Sequence, residues 1–257
     1  MDKIVDLNCD MGEGFGPWKM GTDEAIFPFI TSANIACGFH AGDPHIMRKS
    51  VASAAAHGVA IGAHPALPDL VGFGRRAMAV TPDEVRDYLC YQIGALREFC
   101  RAAGLDLQHV KPHGALYHMA DQDEAIAQAI GETVQSTGKQ IILITMAGSR
   151  YDAYCRARGC RVAAEGFADR AYNRNGSLAP RTQRGALITD PERAAAQAVK
   201  IAAEGRVVSF DGAGVNLAVQ TICCHGDTPG APQIVRAVRE ALEKAGVQVR
   251  PLSSWLP

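Results

Sequence analysis

Short apolar segments rich in β-branched residues alternate with longer, alanine-rich segments along most of the 257-residue chain. The clearest apolar segment is 140–145 (QIILIT). The clearest helical segment begins at Thr81, where the letters TPDE supply an N-cap, a proline in the first turn and acidic side chains near the positive end of the helix. Strands that alternate with helices predict a parallel sheet covered by helices on both faces. Two architectures have this pattern, an open doubly wound sheet and a closed β/α barrel.

The pattern also gives bounds for the elements. We predict strands at 4–8, 32–37, 59–63, 108–111, 140–145, 161–165, 206–210 and 221–224, and helices at 44–57, 81–103, 123–137, 149–158, 190–204 and 230–245. The letters DGAG at 211–214 can form the turn of a hairpin, so the number of strands between Arg206 and His225 stays open. There is no composition break, linker or repeat, and β/α barrels of this length commonly fold as one domain. A single domain over 1–257 is therefore the simplest interpretation.

Nearly every predicted strand ends in a cluster of polar side chains. Following the chain, these are Asp6, Asn8, Asp10 and Glu13, then His40, Asp43 and His45, then His64, then Lys111 and His113, then Glu165, Asp169 and Arg170, then Asp211, and finally His225 and Asp227. The carboxyl ends of the strands of a β/α barrel meet at one mouth, where active sites lie. An open sheet binds its ligand in one crevice, so fewer of its strands would carry such groups. The pattern therefore favours a closed barrel with an active site at its mouth.

The composition excludes other classes of function. The formal net charge is −1 with no basic block, which argues against a nucleic-acid-binding face. The first ten residues lack the apolar region of a signal peptide, and no apolar run is long enough to span a bilayer, so we expect a cytoplasmic protein. The eight cysteines form no CxxC pair, and we interpret them mainly as small buried hydrophobic residues in a reducing compartment.

Histidines and carboxylates together can position and deprotonate a water molecule, or bind a divalent metal that acidifies it. We find no HxxxH or HxxEH spacing, so a metal site would have to be assembled from different strands. Asp10, His40 and His45 are the ligands that we predict for such a site. Taken singly, each residue has another explanation, since a strand-end histidine often only bonds to a turn, and Asp43 before Pro44 is a typical helix cap.

Cationic side chains accompany this cluster. They are Arg75, Arg76, Lys111, Arg170, Arg181 and Arg184. Arginine binds carboxylate or phosphate through two hydrogen bonds, so a small anionic substrate fits the pattern, although several of these arginines can equally be solvated loop residues. The letters GEGFG at 12–16 lack the dinucleotide-binding spacing, and no GxxxxGK[ST] occurs. If the reaction consumes ATP, we expect another chain to bind it.

Seven motifs spread along the chain resemble the LamB/YcsF family. They are VDLNCDMGEGFG, TSANIACGFHAGDP, GVAIGAHP, PDLVGFGRR, HVKPHGALY, EGFADRAY and TICCHGDTP. The resemblance implies a seven-stranded, TIM-like β/α barrel of the glycoside hydrolase and deacetylase type. It also implies the role of the A subunit of an ATP-dependent 5-oxoprolinase, which opens the lactam of 5-oxo-L-proline (pyroglutamate) to L-glutamate together with subunits B and C.

We assign site residues from the motif positions and the chemistry together. Catalytic roles are predicted for Asp10, Lys111, His113 and Glu165, and substrate binding for Asn8, Glu13, His64, Arg170 and His225. We expect Asp10 or His113 to act as base on water, Lys111 to stabilise the developing oxyanion, and Arg170 to bind the substrate carboxylate. Two alternatives remain: a stand-alone metal-dependent deacetylase or amidase, and a non-catalytic small-molecule-binding regulator. The sequence is compatible with a homo-oligomer.

Overall fold

The computed structural model describes residues 3–257; residues 1 and 2, which the predicted domain included, lie outside the described part. Its strands are β1 (Ile4–Met11), β2 (Ser32–Ala36), β3 (Ala60–His64), β4 (His109–Val110), β5 (Ile142–Met146), β6 (Val162–Phe167), β7 (Arg206–Val208), β8 (Gly214–Asn216), β9 (Thr221–Cys224) and β10 (Gln248–Val249). Strands β1 to β6 and β9 are parallel and follow one another around a ring. β9 pairs with β1 from Asp6↔Thr221 to Cys9↔Cys224, which closes the ring. The predicted seven-stranded β/α barrel is confirmed.

The helices are α1 (Asp23–Ile26), α2 (Pro44–His57), α3 (Pro82–Ala102), α4 (Gly114–Gln122), α5 (Glu124–Thr137), α6 (Arg150–Ala157), α7 (Pro191–Glu204) and α8 (Ala231–Lys244). Their starts follow from local capping. Asp43 accepts hydrogen bonds from the backbone N–H groups of His45 and Ile46 at 2.8 and 2.9 Å. Thr81 and Glu84 form a reciprocal capping box at the start of α3.

Two segments differ from the sequence-based expectation. Helix α4 was not predicted; it lies directly after the β4 motif and presents Tyr117 to the barrel. The predicted strand at 206–210 is β7, which pairs antiparallel with β8 in a hairpin and does not join the barrel. The predicted hairpin turn at 211–214 is therefore the correct alternative. Asp211 lies in that turn, exposed and 2.9 Å from Arg174, because the strand before it does not lead to the mouth.

Alternation along β1 divides a polar interior from an apolar exterior. Leu7, Cys9 and Met11 are fully buried in the main hydrophobic core. Asn8 and Asp10 point the other way, into the barrel, and bond to side chains of β2 and β6. Successive side chains of a strand face opposite sides, so one strand serves both the packing of the helices and the site. No helix within residues 3–257 is long and apolar enough to cross a membrane.

Candidate active site at the barrel mouth

A chain of amides fixes the floor of the site. The Nδ2 of Asn34, in β2, donates to Asn8 Oδ1 at 2.7 Å and to Asp10 Oδ1 at 2.8 Å. The Oδ1 of Asn34 lies 2.7 Å from the Nε2 of His109. Burial lowers the pKa of His109 to about 3, so its ring is neutral and donates this bond. The amide orientations are thereby set, and every side-chain polar atom of Asn8, Asn34 and His109 has a partner.

Lys111 lies at the centre of the site. Its Nζ is 3.0 Å from Asp10 Oδ1, 2.9 Å from Glu165 Oε1 and 3.1 Å from Cys223 Sγ. Burial alone would lower the pKa of Lys111, but these neighbours, Asp10 above all, hold it well above its ordinary value. Glu165 also accepts a hydrogen bond from the hydroxyl of Tyr117 at 3.1 Å. The side chain is therefore an ammonium whose protons already point at two carboxylates.

Asp10 is the carboxylate that joins this ammonium to the histidines. Its Oδ1 lies 3.4 Å from His64 Nε2. Burial would raise the pKa of Asp10, but His64 and Lys111 together hold it well below its usual range. Asp10 is thus ionised near neutral pH and free to accept a proton, with His64 beside it.

Next to Asp10 lies a buried cluster of Glu13, His40, His64 and His113, whose candidate ligand atoms all lie within 4.8 Å of one another. His113 Nδ1 is 2.9 Å from His64 Nε2, and the His40 ring stacks on the His113 ring at 3.8 Å between centroids. Burial lowers the pKa values of His40 and His113 and raises that of Glu13. This is a His/Glu cluster of the kind that can hold a metal ion.

A second group consists of Asp10, Cys223 and His225. The Nδ1 of His225 lies 2.8 Å from Asp169 Oδ1, and Asp169 also accepts the backbone N–H of His225 at 2.9 Å. Asp169 therefore fixes the orientation of this imidazole in the way that a buried carboxylate orients a catalytic histidine.

These groups open into a cavity of about 370 Å³ at the mouth of the barrel. Three arginines line it, Arg75, Arg170 and Arg181. Arg75 and Arg181 lie 2.5 and 3.9 Å from Asp227. Arg170 donates to the carbonyl of Ala179 at 2.7 Å, but its buried Nε has no hydrogen-bond partner. Burial, with Arg181 nearby, lowers the pKa of Arg170 to about 10, which still leaves it charged at neutral pH. The cavity thus offers an unused, buried cationic donor to an anion.

The structure brings most of the predicted site residues to this mouth. They are Asn8, Asp10, Glu13, His40, His64, Lys111, His113, Glu165, Arg170 and His225. His45 is not among them. It is exposed in the first turn of α2, and its Nδ1 lies 3.3 Å from Arg48. The predicted ligand set of Asp10, His40 and His45 is therefore not assembled, because the Asp43 cap holds His45 on the outer end of the helix.

Sequence reasoning missed several residues that complete the site. Asn34 lies inside β2, and the only signal for it in the sequence is its place in the alternation of the letters SANIA, which turns it toward the barrel interior. Tyr117 lies on the unpredicted helix α4, and Cys223 was interpreted as a small hydrophobic residue although it contacts Lys111. Asp169 was noted as a strand-end residue without a role.

Comparison with known proteins shows the family to which the chain belongs. A model of the LamB/YcsF family matches residues 5–257. A Pyrococcus furiosus protein named as the A subunit of 5-oxoprolinase is 50% identical over 252 residues, which cover 98% of this chain and 99% of that protein. The crystal structure of a lactam utilization protein from Thermus thermophilus superposes with a TM-score of 0.91 at 51% identity and covers 96% of this chain and 99% of that one.

A more distant likeness concerns the fold alone. A family 4 carbohydrate esterase from Streptomyces lividans has a TM-score of 0.50 at 9% identity, covering 96% of this chain and 91% of that one. The motifs, the closed barrel and the full-length family match agree, and the chain belongs to the LamB/YcsF family.

Proposed function

We propose that this chain is the A subunit of an ATP-dependent 5-oxoprolinase, which opens 5-oxo-L-proline to L-glutamate with partner subunits B and C. One observation carries the proposal: a single cavity joins the ionised Asp10, beside His64, to the unpartnered guanidinium nitrogen of Arg170. The name of the Pyrococcus furiosus relative supports the same substrate. The cavity of about 370 Å³ lies in the range of small-ligand sites.

The substrate offers a carboxylate and a lactam carbonyl. Arg170 binds the carboxylate, because its guanidinium lines the cavity and its Nε–H has no partner within the chain. The lactam carbonyl then faces Asp10 and His64, which line the same cavity. His225 also lines this cavity and restricts the orientation of the ring, whereas Asn8 lies below it, bonded to Asn34, Glu165 and Thr221.

Asp10 accepts a proton from water as the oxygen of that water bonds to the lactam carbon. The C–N bond of the ring then breaks, and the proton passes through Asp10 to the leaving nitrogen, which yields the amine of glutamate; for a phosphorylated substrate the other product is an acyl phosphate, which a second water molecule cleaves to the carboxylate and inorganic phosphate. The sequence-based expectation was that Lys111 stabilises the oxyanion. Because its protons already point at Asp10 and Glu165, we propose instead that Lys111 keeps Asp10 ionised and that Glu165 positions Lys111.

ATP acts on the partner subunits in this proposal. A lactam is a weak electrophile, and phosphorylation of the substrate makes it a better one. The sequence has no phosphate-binding GxxxxGK[ST] loop. We therefore place the ATP chemistry on subunits B and C and the ring opening on this chain.

The test is glutamate release from 5-oxoproline by the purified chain, with and without ATP and candidate B and C subunits. Release that requires all components supports the proposal. Asp10→Asn should reduce it by about 10²–10⁴, the range for loss of a general base. Asp83→Asn, which removes an exposed carboxylate, serves as the matched control. No release under any condition, with folded protein and active partners, would sink the assignment.

The His/Glu cluster favours a second candidate, a stand-alone metal-dependent deacetylase or amidase. It predicts turnover of an N-acetyl substrate after addition of Zn²⁺, without ATP or partners. Binding of 5-oxoproline without turnover in the complete mixture would instead indicate a small-molecule-binding regulator.

A further inference from the structure

Side chains of the same chain do not fully satisfy the hydrogen-bonding groups of the cluster of Glu13, His40, His64 and His113. The Nδ1 of His64 lies 2.7 Å from the carbonyl oxygen of Lys111. The Nε2 of His113 lies 2.9 Å from the carbonyl oxygen of Phe73. A carbonyl oxygen only accepts, so each of these ring nitrogens carries the proton.

The tautomers therefore leave two lone pairs facing each other. In neutral rings, His64 Nε2 and His113 Nδ1 carry no proton, yet they lie 2.9 Å apart. Two acceptors at this distance repel unless a proton lies between them or a cation lies next to both.

Two further members of the cluster also lack partners. Both ring nitrogens of His40 and the Oε1 of Glu13 are buried without a hydrogen bond. Glu13 Oε1 lies 3.5 Å from His40 Nε2 and 3.8 Å from His113 Nδ1. Buried polar groups are nearly always satisfied, so several orphans at one point favour an ion or a water molecule bound there.

The surrounding backbone is shaped to hold the rings in place. Phe73, whose carbonyl accepts from His113, is the only non-glycine residue with positive φ (54°) within residues 3–257. A Cβ at Gly74 would lie 2.8 Å from His40 Cβ and 2.9 Å from His113 Cδ2. Backbone strain at Phe73, next to a glycine whose lack of a side chain leaves room for the rings of His40 and His113, is typical of a functional site. Metal-bound histidines characteristically donate their second N–H to a backbone carbonyl in this way.

We propose that this cluster is a binding site for one borderline divalent metal ion, with Zn²⁺ as the probe, and that Glu13, His64 and His113 are its ligands. His40 stacks parallel to His113 (6° between planes), so an ion in the plane of His113 lies outside the plane of His40. His40 can therefore complete the shell only if its ring turns. Imidazole nitrogens select Zn²⁺ and similar ions, whereas Mg²⁺ and Ca²⁺ prefer oxygen ligands.

The site is also accessible. His64 and His113 line the main cavity, and Glu13 and His40 line a neighbouring cavity of about 250 Å³. An ion can enter from either side, and a ligand in the main cavity can reach it. Metal binding at this cluster does not depend on the proposed ring opening.

The experiment titrates the metal-free full chain with Zn²⁺, followed by calorimetry, and repeats it with Mg²⁺. We expect one Zn²⁺ per chain and no Mg²⁺ binding. Glu13→Gln and His113→Asn should each weaken Zn²⁺ binding at least about tenfold, the lower bound for losing even an outer-shell partner. His45→Asn and His57→Asn, at exposed histidines, are the matched controls and should bind as the unmodified chain does.

X-ray absorption of the Zn²⁺-loaded, unmodified chain keeps the inference testable if a variant fails to fold. We expect imidazole and oxygen ligands and no sulfur. A Zn–S distance of about 2.3 Å would place the ion at Asp10, Cys223 and His225 and overturn the assignment. Absence of Zn²⁺ binding, full binding by both cluster variants, or loss of binding in His45→Asn would overturn it as well.

Discussion

Replacement of Lys111 by methionine tests the electrostatic centre of the barrel. Lys111 is 3% exposed, and its ammonium lies 3.0 Å from Asp10 and 2.9 Å from Glu165. At an effective dielectric constant of about 20, each such pair attracts by roughly 5 kcal/mol before the cost of burying the ammonium is subtracted. Removal of one partner of a buried ion pair typically costs about 3–5 kcal/mol, because the other charge stays buried without compensation. We expect Lys111→Met to lose that much free energy of unfolding at pH 7.

The loss should depend on pH in a defined direction. In the unmodified protein the pKa of Asp10 is depressed, so its stabilisation is present above the unfolded pKa and is lost as the pH falls through the folded one. Without Lys111 the buried carboxylates of Asp10 and Glu165 lose their counter-charge. The free-energy cost of keeping them ionised is therefore largest at neutral pH and falls as they become protonated. The difference between variant and unmodified protein should therefore shrink from pH 7 to pH 5.

The assay is urea unfolding of both proteins at pH 7 and pH 5, with thermal melting as a second readout. The midpoint should fall by roughly 6–20 °C, since each kcal/mol shifts it by about 2–4 °C in a chain of this size. Lys139→Met, at an exposed lysine, is the matched control and should stay within about 0.5 kcal/mol. The double variant Lys111→Met/Glu165→Gln should recover part of the loss. If Lys111→Met is as stable as the control at pH 7, the ammonium does not compensate these carboxylates and the reasoning is refuted.

Three further predictions concern packing, substrate binding and acid dependence. Gly62→Ala should cost about 3 kcal/mol or more in urea unfolding, because its Cβ would lie 2.0 Å from the buried His109 Nε2; an unchanged midpoint would contradict the observed contact. Arg170→Met should raise KM for 5-oxoproline at least tenfold, since a charge-assisted hydrogen bond contributes about 1.5–3 kcal/mol, while the exposed Arg184→Met should not; an equal KM for both removes Arg170 from substrate binding. Burial, against hydrogen bonds from three hydroxyls, raises the pKa of Asp6 to about 6. The contribution of Asp6 to the free energy of unfolding is thus present in acid and is lost as the pH rises through 6. Between pH 5 and pH 7, the free energy of unfolding of Asp6→Asn should therefore rise by about 1 kcal/mol relative to that of the unmodified protein. The same difference between the two proteins at both pH values would contradict this.

The starts of the helices and the closed barrel follow from local sequence. Asp43 before Pro44 and Thr81 before Pro82 place the starts of α2 and α3, because a side chain that accepts from the first turn and a proline that needs no N–H act over a few residues. Polar residues at successive strand ends predict a common mouth, because parallel strands of a barrel all end on one side. Helix α4 escaped prediction because the Lys111 to Gly114 segment lacks a capping side chain.

The membership of the buried clusters depends on tertiary structure. His40 and His45 are five positions apart, yet one is buried against His113 and the other is exposed on a helix end. The sequence by itself determined which elements form and which chemical groups reach the mouth, because these depend on local capping and on strand alternation. Only the tertiary structure decided that Glu13 and His113 share a cluster and that Lys111 is fully paired, because those contacts depend on loop conformation and on distances across the barrel that spacing along the chain does not contain.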